Sequence, residues 1–294
     1  MGISAETVYK EWSDSPDYLE ELEKFLAPMR HTIFWDSCWQ TYTDVARFHP
    51  TADLLRLYTT IEGKRILDSG CGNAALLITL QQAGAAELVG IEVDPDVYRL
   101  ATLRTSRLPQ IRILQDDAAL LTQEPESFDI IISFQVIEHV ADYQGYLHTQ
   151  GRLLKSGGVL LITCPNRLWP YEAHSRLPLI QYLPRPLSKA IGRCAERATF
   201  LPRGLRDRGR TSTLYETDFT YFRLKRLLLR NGFEMLEMNH PRYLMAELFA
   251  HDLPGVARAL QDLPLRWQWC AAVFFSKDLT AVCRKVAQRE SCPT

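Results

Sequence analysis

Lys64-Arg-Ile-Leu-Asp-Ser-Gly-Cys-Gly-Asn-Ala-Ala75 is the stretch on which the reading of this 294-residue chain turns. Arg65-Ile-Leu67 supplies a short strand-forming run, and Asp68 closes it with a carboxylate. Gly70 and Gly72 let the backbone turn sharply and lie against a ligand, where a Cβ would obstruct it. Ala74-Ala-Leu-Leu-Ile-Thr-Leu80 then begins a run of good helix formers. The stretch therefore predicts a buried strand, a glycine turn, and a helix whose first N–H groups are free to meet a polar ligand.

Two cofactors use such a turn. A dinucleotide wants G-x-G-x-x-G/A, and Gly70-Cys-Gly72-Asn-Ala-Ala75 fits it literally. S-adenosylmethionine (SAM) wants an acid at the end of the first strand, and Asp68 stands there. A carboxylate suits the ammonium of a methionine moiety, whereas beside a pyrophosphate it sets like charges together in a poorly screened place. The physics favours SAM.

Outward from this turn the chain alternates. Glu87-Leu-Val-Gly-Ile-Glu92 reads as a second strand ending in an acid, and Pro95–Arg107 as a helix. Ile111–Leu114 reads as a third strand followed by Asp116 and Asp117, and Phe128–Phe134 as a fourth, nearly all apolar, as a central parallel strand is. Tyr143–Leu154 reads as a helix and Gly157–Thr163 as a fifth strand. Such alternation means a doubly wound parallel sheet with its ligand beyond the carboxyl ends of the strands. Glu92, with Val93 beside it, is placed to accept both ribose hydroxyls, with Asp94 as the alternative. Asp117 is placed to take the adenine amino group while the Ala118 N–H faces a ring nitrogen; Asp116 is one residue away. Phe134 and Gln135 would line the cofactor.

Before the turn, Ser15-Pro-Asp to Leu26 has the cap, proline and acidic first turn of a helix start, and a further helix is expected over Thr51–Thr60. Phe34-Trp35 and Trp39–Tyr42 read either as a cover over the cofactor mouth or as core contacts. After the fifth strand, a helix over Thr217–Asn231 capped by Gly232, a strand over Glu234–Met238, a helical then loop-like region over 242–265, and a last strand over Leu279–Cys283 are expected.

Composition limits the alternatives. Formal net charge is −1, which makes no global case for nucleic acid. The seven cysteines include no C-x-x-C pair, so no zinc site or disulfide framework is indicated, and reduced thiols in a cytoplasmic protein are expected. The acidic N-terminus lacks a signal-peptide pattern, and no apolar run approaches the ~20 residues of a membrane span.

Taken together the motifs resemble those of the class I SAM-dependent methyltransferases. Asp68-x-Gly70-x-Gly72 is similar to their first motif, Gly90-Ile-Glu92 to the acidic second-strand end, and Asp117-Ala118 to the adenine motif. Phe128–Ser133 with Val136-Ile-Glu-His-Val140 resembles the motif after strand four, and Leu154-Lys-Ser-Gly-Gly158 resembles L-x-P-G-G with serine for proline. The resemblance implies a Rossmann-like seven-stranded sheet with a last antiparallel strand, and SAM held by Asp68, Gly70, Cys71, Gly72, Asn73, Glu92, Val93, Asp117, Ala118, Phe134 and Gln135. It divides the chain into a helical N-terminal extension (1–60), a SAM-binding core (61–165), a lid or acceptor insertion after strand five (166–214), and the C-terminal part of the core (215–294). The Glu-His-Val ending resembles the branch of ubiquinone-biosynthesis O-methyltransferases and small-molecule methyltransferases. Some members there bind a divalent metal through further acids, and Gln135 replaces one of them; no metal ligand is assigned.

Methyl transfer from a sulfonium is an in-line displacement, in which the protein positions the acceptor and excludes water. A hydroxyl acceptor profits from a base, for which His139 and His174 are the candidates; Glu138-His139 reads equally as a pair that holds its loop. Residues 176–210 carry nine basic side chains against two acids, interleaved with Leu177, Leu179, Ile180, Leu183, Leu187 and Ile191. They read as a peripheral membrane contact for a lipid-like acceptor, as a basic lid over a small anionic acceptor, or as a lid packed on the domain. The expected function is methylation of a small-molecule or lipid-like acceptor, at oxygen. An NAD(P)-binding reductase and a non-catalytic, methyltransferase-like partner protein are the competing readings. The sequence assigns no oligomeric state.

Overall fold

The computed structural model describes residues 9–32, 34–116, 120, 122–170, 179, 182–197, 217–250 and 253–286. Asp117, Ala118 and His174, and most of 176–210, lie outside the described residues. Three helices come first: α1 (Pro16–Leu26), α2 (Trp35–Thr43) and α3 (His49–Arg56). Then follow β1 (Arg65–Ser69), α4 (Ala75–Gln82), β2 (Glu87–Ile91), α5 (Pro95–Thr105), β3 (Ile111–Leu114), β4 (Phe128–Phe134), α6 (Tyr143–Leu153) and β5 (Leu154–Pro165). The remainder is α7 (Arg185–Arg197), α8 (Tyr221–Arg230), β6 (Phe233–Met238), α9 (Pro241–Ala250), α10 (Pro254–Gln261), α11 (Leu265–Phe275) and β7 (Asp278–Lys285). The strands form one seven-stranded sheet in the order β3-β2-β1-β4-β5-β7-β6. This is the expected α/β architecture.

The chain separates into two compact units, residues 1–134, 149–161 and 285–294 in one, and 135–148 and 162–284 in the other. In the first, β1 pairs in parallel with β2 and β4, and β2 with β3, so the carboxyl ends of all four strands lie along one edge. Strand order reverses between β1 and β4, the switch point at which such sheets bind ligands. Ile66, Leu67, Leu88, Val89 and Ile130–Ile132 are wholly buried, as strands covered on both faces require. Helix α1 starts where Ser15 Oγ accepts the Tyr18 N–H at 3.3 Å with Pro16 in its first turn. It packs on α5 through Tyr18, Leu22, Leu26 and Leu100, with Trp35, Trp39 and Tyr42 of α2 against the same cluster. Those aromatics are therefore core contacts of the N-terminal extension.

Some boundaries differ from expectation. Helix α3 runs over His49–Arg56 rather than 51–60, since Pro50 lies in its opening turn. The helix expected from Thr217 begins at Tyr221: Thr220 Oγ1 caps it through the Arg223 N–H, and Phe219 instead bridges in parallel to Asn166. Strand β5 starts at Leu154, because the Gly157-Gly158 turn is absorbed into it with Gly157 at φ +76°. In the second unit, residues 239–277 build three helices rather than one helix and a loop, and α9 packs against α10 and α11.

Candidate active site

The first unit brings Asp68, the glycine turn and Glu92 to one edge of the sheet. Asp68 lies in β1 beside Gly90 of β2 and is 2% exposed; its Oδ1 has no hydrogen-bond partner among the described residues. Burial, followed by the nearby Glu92 carboxylate, pushes its pKa up to about 7. Gly70 and Gly72 hold φ of +92° and +52°, and Ala74 closes the turn at φ +62°. Space around Gly72 is open: a Cβ added there would meet no atom within 4 Å.

Several N–H groups of this turn and of the helix start are already taken within the protein, which narrows the sequence expectation of free donors there. Those of Gly70 and Cys71 donate to Ile91 O at 2.9 and 2.8 Å, and that of Gly72 to Glu92 Oε2 at 3.0 Å. The Ala75 N–H donates to Asn73 Oδ1 at 3.3 Å. The physical reason is the close approach of the β2 end, whose carbonyl and carboxylate reach the turn first. Such a turn does not offer the array of free donors that a pyrophosphate takes, while Asp68 offers an acceptor suited to a cation.

Glu92 follows β2 directly. Its Oε1 accepts the Asp94 N–H at 2.9 Å while Oε2 takes Gly72, and burial raises its pKa. One N–H per oxygen orients the carboxylate and leaves acceptor capacity for hydroxyls. Asp94, the alternative, caps α5 through the N–H groups of Asp96 and Val97 at 2.9 and 3.1 Å. Val93 is 58% exposed beside Glu92, Asp116 follows β3, and the Phe134 ring at the end of β4 meets Phe48 edge-on at 5.5 Å.

Two residues expected in the cofactor cradle have their side chains elsewhere. Cys71 is buried beneath β2, with its thiol pushed upward by burial. The Asn73 amide donates to Tyr42 O at 2.9 Å and Tyr18 Oη at 3.4 Å, tying the turn to α1 and α2. A buried ion pair, not foreseen from sequence, completes this anchor. Arg104 Nε donates to Asp14 Oδ1 at 2.7 Å and Nη2 to Asp14 Oδ2 at 2.9 Å, with Nη2 also on Thr43 O and Nη1 on Asn73 O. The guanidinium lies over the Tyr18 ring, 4.8 Å from its centroid. No local motif could have signalled a pair ninety residues apart.

In the second unit the segment after β4 turns through Gln135, at φ +59°, whose N–H donates to Thr163 O at 3.0 Å. Glu138 is 1% exposed, and neither of its carboxylate oxygens has a hydrogen-bond partner among the described residues. Burial, with Asp278 adding repulsion, lifts its pKa to about 8. His139 Nε2 stands 3.8 Å from Glu138 Oε1, and its side chain is 39% exposed. An accessible imidazole backed by a buried carboxylate can accept a proton.

A seven-stranded sheet of this order, parallel through β1–β4, with one acid in the first strand and another after the second, is the Rossmann-like fold of the class I methyltransferases. The chain belongs to the methyltransferase-domain family, whose model matches residues 45–238. That membership sets aside the reductase reading. The ubiquinone biosynthesis O-methyltransferase of Bartonella quintana is 33% identical over 109 residues, which are 37% of this chain and 44% of that protein. The chain thus matches under half the length of that relative. A SAM-dependent methyltransferase structure from Mesorhizobium loti aligns with TM-score 0.51 and 16% identity over 79% of this chain and 96% of its own. Phosphoethanolamine N-methyltransferase 2 of Haemonchus contortus, in complex with SAM, aligns with TM-score 0.54 and 16% identity over 90% of this chain and 60% of its own. At those identities the two structures speak for the fold.

Proposed function

We propose that this chain is a SAM-dependent methyltransferase that methylates a hydroxyl of a small or lipid-like acceptor. The observation that carries the reading is Asp68: a buried carboxylate with an oxygen unpartnered among the described residues, behind a turn most of whose donors are used internally. An ammonium is the group that relieves such a carboxylate. When bound, SAM supplies a methyl group on a sulfonium, open to in-line displacement.

Asp68 binds the cofactor's ammonium, and the Gly70-Cys71-Gly72-Asn73 backbone lies along its methionine part. Glu92 accepts the ribose hydroxyls, with Val93 flanking the base. Asp117 and Ala118 read the adenine edge, and Phe134 and Gln135 line the remaining wall. His139 takes the proton from the acceptor hydroxyl, and buried Glu138 steadies the imidazolium that results once it is ionised, above about pH 8. His174 is the second candidate base. Oxygen as the methylated atom is supported by the likeness to the Bartonella O-methyltransferase. Exposed Leu187 and Ile191, one helical turn apart on α7 beside Lys189 and Arg193, support a lipid-like acceptor met at a membrane from the cytoplasmic side.

Calorimetric titration with S-adenosylhomocysteine, NADH and NADPH tests the cofactor. Micromolar affinity for the first alone, lost in Asp68→Asn, is expected; affinity for a nicotinamide cofactor alone overturns the reading. Methyl-labelled SAM with hydroxyl- and amine-bearing acceptors tests the atom, and label confined to amines refutes oxygen.

A further inference from the structure

Residues 239–277 join β6 to its sheet neighbour β7, and a connection between adjacent strands has no need of three helices. Helix α11 is the unusual one. From Trp267 to Ser276 it and its cap carry no charged residue. Its inner side is accounted for. Ala272 and Val273 are buried, the Trp269 ring meets His240 edge-on at 5.3 Å, and Asn239 Nδ2 donates to Ala272 O at 2.7 Å. Asn166 Nδ2 reaches both Val273 O and Ser276 O at 3.0 Å. These bonds fix the rotation of the helix, and the opposite side consists of Trp267, Cys270 and Phe274, with Phe275 at its margin. Trp267 is 53% exposed, Phe274 46% and Phe275 58%. Leu253, Val256, Leu263 and Leu265 of the same helical segment are also more than two-fifths exposed. A helix apolar on every side belongs in a core or against lipid, and this one has its outer side in neither.

The geometry points to a bilayer-docking surface on α10 and α11, with an anionic membrane as its occupant. Charge decides between occupants. Exposed Arg258, Arg266 and Lys277 stand around the apolar face, with Asp262 the one exposed acid between Leu253 and Lys277. Arg266 lies at the start of α11 and Lys277 just past its end, so two copies packed antiparallel along this helix would set cation against cation. An anionic headgroup layer is attracted by both ends at once. Eleven residues are too few to cross a bilayer, so the helix lies in the interfacial plane, with tryptophan and phenylalanine in the acyl boundary. No helix among the described residues is long and apolar enough to span. This surface lies on other helices than α7, and the proposal holds whichever acceptor is methylated.

The test is flotation of the full chain with phosphatidylglycerol-containing and pure phosphatidylcholine vesicles. Trp267→Ser/Phe274→Ser is compared with Leu187→Ser/Ile191→Ser. Binding to the anionic vesicles, weakened about tenfold or more in the α11 double variant, is expected. Brominated acyl chains should quench the protein's fluorescence, and Trp267→Phe should remove that quenching while Trp269 remains. S-adenosylhomocysteine affinity should be unchanged in the α11 variants, which separates failure here from failure of the cofactor assignment. The proposal is overturned by no vesicle binding, by binding lost only in the α7 variant, or by an α11-dependent dimer in sedimentation velocity without vesicle affinity.

Discussion

Both carboxylate oxygens of Asp14 bind the guanidinium of Arg104, at 2.7 and 2.9 Å, and both side chains are almost wholly buried. The pair joins the segment before α1 to α5, and through Asn73 O it reaches the glycine turn. Removing one partner strands a buried charge, which costs about 3–5 kcal/mol. Arg104→Met should therefore lower the unfolding free energy read from urea denaturation by that much and weaken S-adenosylhomocysteine binding. A smaller loss in the double variant Arg104→Met/Asp14→Leu, which removes both charges, would confirm the origin. Equal losses in single and double variants would not fit.

Asp68 gives the cofactor site a pH dependence whose sign follows from burial. Its folded pKa, about 7, lies above the ordinary 3.8, so the folded chain without cofactor holds a proton that the unfolded chain has lost. Its contribution to stability therefore falls as pH rises from about 4 to 7. Asp68→Asn removes the charge and should stabilise the ligand-free protein at pH 8 by at least ~1 kcal/mol, roughly 2–4 °C in melting temperature. An ammonium requires the ionised form, so wild-type affinity for S-adenosylhomocysteine should weaken about tenfold per pH unit below 7. The asparagine variant should bind weakly at every pH. A wild-type affinity independent of pH between 5.5 and 8 would refute the assignment.

Gly90 is where β2 lets the turn approach. A Cβ there would stand 2.7 Å from both Cys71 Sγ and Leu77 Cδ1, and 3.0 Å from Cys71 Cβ. Gly90→Ala should cost about 1–3 kcal/mol by overpacking. Adding Cys71→Ala removes one of the two clashes, so the double variant should recover part of the loss, read as coupling in chemical denaturation. Strict additivity would place the strain elsewhere.

The parallel half of the fold was legible because its signals are local. Each strand carries its own apolar run, and Asp68 and Glu92 sit at strand ends where the register of β1 on β2 brings them to one edge. The glycine turn is legible as a turn, but the destination of its N–H groups depends on how closely Ile91 O and Glu92 approach, which no window around residue 70 contains. Asn73 illustrates the same limit. Its place in the motif suggested the cofactor, while Tyr18 and Tyr42, far off in sequence, claim its side-chain amide. Residues 265–275 have apolar residues on all sides, so periodicity gave no amphipathic signal from which to predict helix α11.

Glu138 and His139 separate catalysis from loop support. The folded pKa of Glu138, about 8 against an ordinary 4.5, makes its contribution to stability fall as pH rises through that window. Glu138→Gln should flatten that decline, with the remaining fall traceable to Asp68. If His139 takes the acceptor proton, His139→Ala should lower kcat by about 10²–10⁴ while leaving S-adenosylhomocysteine affinity intact. The carboxyl 3.8 Å behind the imidazole ionises only as pH passes about 8, so Glu138→Gln should remove from the kcat profile whatever change that ionisation brings. A loop-holding pair behaves otherwise: both variants would lose stability and cofactor affinity together, and the surviving activity would keep the wild-type pH profile. That outcome would pass the proton-accepting role to His174.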